Sequence, residues 1–111
     1  MQDIEERILC AAIWYKDFPL LKPEVLQLRG FAPYNIDRGI VLCGWRHCNC
    51  LYQMVAILNK ASFEIGENEE GFLTNKNRFV DREEGAKIAL ACKQIDKLNY
   101  SSHTLYSEDL Y

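Results

Sequence analysis

Residues 71–89, GFLTNKNRFVDREEGAKIA, decide how the rest of the chain is read. Apolar and polar residues alternate loosely on either side of Asn75-Lys76-Asn77, the pattern of a strand, a tight turn and a second strand. Asp81 is followed at capping-box spacing by Glu84, with Asp in the Ser/Thr place, so a helix is expected to begin there. Ile88, Ala89, Cys92 and Ile95 give that helix a buried stripe. A hairpin that runs directly into a helix sets the class as sheet plus helix.

Working outward, residues 6–16, RILCAAIWYKD, read as a strand, although Ile4, Ile8 and Ala11 or Ala12 would also suit a short helix. Residues 39–45, GIVLCGW, form a continuous apolar run of strand length and are expected to be buried. After Trp45 the period changes: Leu51, Met54, Val55 and Leu58 recur at helical intervals, with Asn49 available to cap the start. ASFEI, 61–65, reads as a short strand, and GENEEG, 66–71, as a solvated acidic turn. The stretch 18–37 holds all three prolines and cannot be one long regular element; it reads as a loop insertion. Residues 99–111 form a polar, aromatic tail whose order local pattern does not settle. The expectation is an α/β (α+β) fold, one domain over 1–111, with a three- to five-stranded sheet and two main helices.

The chain has 111 residues, 49% of them hydrophobic and 26% charged, with a net charge of −3, which excludes a mainly disordered state. No apolar run approaches the roughly 20 residues needed to cross a bilayer. The opening MQDIEER lacks the basic start and apolar stretch of a secretory signal, so a cytoplasmic protein with reduced thiols and no membrane partner is expected. Thirteen basic against sixteen acidic residues argue against a surface that coats a DNA or RNA polymer. A pocket for one small anion needs only a few local cations and remains open.

Cys43, His47, Cys48 and Cys50 offer soft donors close together, but zinc knuckles come in pairs, and only Cys10, Cys92 and His103 could complete a set from a distance. Packed thiols are the simpler reading, with no metal and no cofactor expected. Cys48 or Cys50 beside His47 would be a nucleophile with a lowered pKa, yet no third orienting group is identifiable. Gly44-Trp45-Arg46-His47 lies between strand and helix, where α/β folds collect ligands. There Arg46 would supply a forked cation, His47 a hydrogen bond and Trp45 a stacking face; the plainer alternative makes Trp45 core and Arg46 a surface charge. The hairpin adds Phe72 and Phe79 as plates for a base, Arg78 and Arg82 for phosphates, and Thr74, Asn75, Asn77 and Asp81 for ribose or base edges. Equally, Phe72 and Phe79 would be core, Asp81 a cap and Arg82 paired to a carboxylate. No Walker loop, GxGxxG, HExxH or GxSxG is present.

GFLTNKNRFVDREEGAKIA, then Gln94-Ile95 and the closing LYSEDL of residues 105–110, resemble a family of small bacteriophage proteins. Its members carry a GF-[LV]-T…RFV-x-R-x-E-A…IA…QI run, an L-[YF]-S-E-D-L tail and a G-x-R-H turn, matched here by Gly44-Trp45-Arg46-His47. Gly85 departs from the usual Ala, and residues 18–37 do not align. The chain is similar to the first described Thoeris anti-defence family of phage sponge proteins. That resemblance implies a non-enzymatic protein in the cytoplasm of the infected bacterial host. It would sequester a cyclic nucleotide messenger, glycocyclic ADP-ribose or a CBASS cyclic oligonucleotide, and assemble as a homodimer or homohexamer. A small nucleotide-processing enzyme using His47 or a cysteine, and a protein-interaction inhibitor, are the alternatives.

Overall fold

The hairpin and its helix form as the pattern requires in the computed structural model, which describes residues 5–20, 22–24, 30, 32–58 and 66–111. Among the described residues the elements are β1 (Ile8–Tyr15), β2 (Ile40–Gly44), α1 (His47–Leu58), β3 (Asn68–Thr74), β4 (Phe79–Asp81), α2 (Arg82–Ala91) and α3 (Ser107–Leu110). The β3–β4 turn closes through Asn77 N–H to Thr74 O at 3.0 Å and Thr74 N–H to Arg78 O at 2.9 Å. Asn77 sits at φ 56°, a left-handed position that Asn tolerates better than most residues. Asp81 caps α2 by accepting from Glu84 N–H at 2.8 Å.

The four strands form one antiparallel sheet in the order β2-β1-β3-β4. Register places Ala11, Ile13 and Tyr15 on one face, beside Gly44, Leu42 and Ile40 of β2 and Phe72 and Glu70 of β3. Both long helices cover that face. Cys50 and Met54 of α1 pack on Ile13 and Tyr15. Ala86, Ile88 and Ala89 of α2 pack on Ala11, Phe72 and Val80, joined by Ile95 and Leu105. The opposite face is covered by Ala32 and Ile36, which pack on Ala12 and Phe79; the proline-bearing excursion thus supplies part of the core. Gly71 lets β4 approach closely, since a Cβ there would stand 2.1 Å from Val80 O.

Three amide side chains take up main-chain groups that the sheet leaves over. Gln53 donates to Cys43 O of β2 at 2.8 Å. Asn35 brackets Phe79 on β4, donating to its carbonyl at 2.6 Å and accepting from its N–H at 2.8 Å. Gln94 does the same for Ile8, at 2.7 Å in both directions, where the β1–β3 register shifts.

The structure corrects several expectations. Residues 68–71, read as solvated turn, are the first half of β3, because they face Trp14, Ile13 and Ala12 across the ladder. α1 begins at His47, and Asn49 serves it from within, its side chain accepting from Arg46 N–H at 2.8 Å. α2 stops at Ala91 rather than reaching Ile95. Gln94 N–H bonds to Ala89 O and Lys93 N–H to Leu90 O, the paired bonds of a Schellman close, with Lys93 at φ 62° where Gly is usual. The strand read at 61–65 lies outside the described residues. Gly85 is buried against the sheet, and a Cβ there would lie 3.0 Å from Phe72 Cδ2. Helix propensity favouring Ala by about 1 kcal/mol is therefore opposed by a tight contact.

Phe72→Ala is expected to cost about 3–5 kcal/mol in urea unfolding, because a fully enclosed ring leaves a cavity. Lys93→Gly is expected to raise stability by about 0.5–1 kcal/mol by relieving the left-handed backbone.

Candidate functional site

Where β2 runs out at Gly44, the chain turns through Trp45 and Arg46 into α1, and residues 105–111 come back to meet it. The Trp45 indole is 63% exposed. The Arg46 guanidinium lies 4.7 Å from its ring centre and 5.3 Å from that of Tyr111. The two rings stack with centroids 5.8 Å apart and planes 13° from parallel. Arg46 Nη2 donates to the main-chain oxygen of Tyr111. Its Nη1 is shielded from water and has no hydrogen-bond partner; the nearest carboxylate oxygen, Glu108 Oε2, stands off at 3.8 Å.

Beside this pair lies a second guanidinium, that of Arg82 at the start of α2. Its Nη2 donates to Glu70 Oε1 at 2.7 Å and its Nη1 to Leu105 O at 2.8 Å, while its Cζ lies 4.5 Å above the Tyr106 ring. Arg82 Nη2 also donates to His47 Nδ1 at 3.4 Å. His47 Nε2 is 2.8 Å from Gly71 O, and a carbonyl only accepts, so Nε2 carries the proton and Nδ1 is the acceptor. Burial pushes the imidazole below its ordinary value, aided by the Arg82 cation and opposed by the Gly71 carbonyl, Glu70 and Glu108. The ring is thus neutral, edge-on to Phe72 at 5.2 Å, with both nitrogens engaged.

Trp45, Arg46, His47 and Arg82 of the sequence-derived set therefore converge. The rest do not join them. Phe72 and Phe79 are core, at 0% and 5% exposure, so Phe72 offers no face to a ligand. Asp81 is a helix cap, and Asn77 a turn residue. Thr74, Asn75 and Arg78 fasten residues 5–7 to the hairpin. Thr74 Oγ1 donates to Glu6 Oε2 at 2.7 Å, and Asn75 accepts from Arg7 N–H at 2.9 Å and donates to Glu5 O at 3.0 Å. Arg78 forks onto both Glu6 oxygens at 2.9 and 2.7 Å. The Arg78 hydrogen bond holds the Glu6 carboxyl below its usual range against burial. Arg78, Phe79, Asp81 and Glu84 do line a separate cleft of about 430 Å³ with Trp14 and Asn35.

All five cysteines are free thiols, and no group of His, Cys, Asp and Glu among the described residues could hold a metal ion. Burial pushes the Cys50 thiol up to about 12, far from a nucleophile's range. A hydrogen bond from Cys43 lowers the Cys10 thiol and raises that of Cys43. No described helix is long and apolar enough to cross a membrane.

Glu70, Tyr106, Glu108 and Tyr111 belong to the corner and were not singled out by sequence reasoning. Glu70 sat in what read as an acidic turn, and the alternation of Glu70, Phe72 and Thr74 on one strand face was the available signal. Tyr106 and Glu108 lie in the LYSEDL run that carries the family resemblance but had no role assigned, because long-range return of the chain is what brings the tail to the corner.

These features define a small α+β protein with a four-stranded antiparallel sheet and, around the start of α1, two arginines that each lie against an aromatic ring. The sequence matches the family of the phage T4 y16D protein over residues 7–111. The chain belongs to that bacteriophage family. Comparison with curated proteins gave no match, and neither did comparison with solved structures.

His47 makes stability pH-dependent with a definite sign. Above about pH 6.5 neither the folded nor the unfolded chain protonates it; below that the unfolded chain binds the proton first, so stability falls as pH falls. The melting temperature is expected to drop between pH 7 and 5.5, and His47→Gln to flatten that drop. The Glu6 contribution has the same sign but belongs to a lower window, below its ordinary value of 4.5.

Proposed function

We propose that this phage-family protein is an anti-defence sponge. It binds a cyclic nucleotide immune messenger at the Trp45–Arg46 corner and holds it unaltered in the cytoplasm of the infected bacterial host. The messenger is glycocyclic ADP-ribose of the Thoeris system, with the cyclic oligonucleotides of CBASS as related guests. The reading is carried by Arg46 Nη1, a guanidinium nitrogen withdrawn from water yet without a hydrogen-bond partner. Leaving a buried donor unmade costs about 1–3 kcal/mol, and a phosphate oxygen would recover it. The exposed indole beside it is a stacking surface for a base. Arg78 is not counted among the phosphate ligands in this reading, since Glu6 already takes its fork.

Depleting a messenger present near micromolar concentration calls for about −10 to −12 kcal/mol of binding. A small ligand reaches that only when nearly enclosed, and the corner is open on a single chain. A second copy supplies the far wall, in a homodimer or homohexamer. The double engagement of His47 supports retention over turnover, because neither ring nitrogen is free to move a proton.

Incubation with glycocyclic ADP-ribose followed by heat denaturation is expected to return the ligand intact, and Arg46→Ala to weaken binding by about 1.5–3 kcal/mol. A new product in the heated supernatant overturns sequestration in favour of catalysis. No ligand-dependent rise in melting temperature with any cyclic nucleotide favours an inhibitor that acts on a host protein directly.

A further inference from the structure

The corner already holds a guest from its own chain. Tyr111 lays its ring on the Trp45 indole, its hydroxyl donates to Trp45 O at 2.7 Å, and its main-chain oxygen accepts from Arg46 Nη2. A flat ring on the indole and an oxygen on the guanidinium are the two contacts that a nucleoside phosphate would make there. The seat is open to solvent on one side. Tyr111 is 45% exposed, and Glu108 stops 3.8 Å short of Arg46 Nη1. The segment is anchored further back instead: Leu105 and Ser107 are buried, and Asp109 accepts from Asn99 N–H at 2.8 Å and Tyr106 N–H at 3.0 Å. Tyr111 can therefore leave while the fold behind it stays closed.

We propose that Tyr111 is a built-in stand-in ligand, occupying the base and phosphate seats of Trp45 and Arg46 until a planar phosphorylated ligand displaces it. This rests on the reading of the corner as a nucleotide site. Affinity in the native chain is lowered by the fraction of time that Tyr111 holds the seat. It also makes the ligand's first competitor a side chain rather than water, so ligands with both a flat base and a phosphate are favoured over either piece alone.

The test is calorimetric titration of the full chain, Tyr111→Ala and Trp45→Ala with ADP-ribose, beside acrylamide quenching of tryptophan fluorescence without ligand. Tyr111→Ala is expected to bind about 3- to 10-fold more tightly than the native chain and to show stronger quenching, and Trp45→Ala to lose binding. Native binding with equal or weaker binding by Tyr111→Ala overturns the stand-in while leaving the nucleotide site in place. Unchanged quenching in Tyr111→Ala likewise overturns it, since the indole was then not covered. Absence of binding by native chain and Tyr111→Ala alike overturns both readings.

Discussion

One guanidinium ties the start of α2 to β3, α1 and the returning tail. Arg82 is the first residue of α2, and its fork reaches Glu70 on β3, the Leu105 carbonyl and the His47 ring on α1, with Tyr106 beneath it. α2 is thereby tied to β3, to α1 and to residues 105–106 by one side chain. Hydrogen bonds to charged groups contribute about 1.5–3 kcal/mol each, and the planar five-donor geometry is what allows one side chain to serve several acceptors at once. A lysine carries the same charge but not the fork. The neighbouring Arg46 is built differently, lying beside the stacked Trp45 and Tyr111 rings with one guanidinium nitrogen unmet.

Much of the fold was legible because it follows from local rules. The β3–β4 hairpin, the Asp81 cap, the strand at β2 and the helical period after Trp45 each rest on residues within a turn or two of one another; the burial expected of β2 does not hold, since it is an edge strand and only half-buried. What was not legible depends on partners distant in sequence. Glu69 and Glu70 look solvated until β1 is laid beside them. The end of α2 was overestimated because its close uses a lysine in a left-handed conformation, where pattern reading waits for a glycine. The stretch before β2 reads as an excursion by its prolines, yet Ala32 and Ile36 pack on Ala12 and Phe79 of the second sheet face.

The candidate site was half legible, for a related reason. A hairpin crowded with Thr, Asn, Arg and Phe has the composition of a nucleotide pocket, but composition does not say which polar groups already have partners. Thr74, Asn75 and Arg78 are occupied by residues 5–7, and the two phenylalanines by the core. Trp45, Arg46 and His47 stand together because β2 ends and α1 starts there, which is local in sequence. Their aromatic company, Tyr106 and Tyr111, arrives from a tail whose course no local periodicity encodes.

The amides of Gln53 and Asn35 have a consequence for how copies of this chain meet. Exposed outer strands invite a neighbour to extend the ladder, but on β2 the Cys43 carbonyl, and on β4 both main-chain groups of Phe79, are already engaged. Lateral growth into a ribbon is therefore disfavoured at both borders.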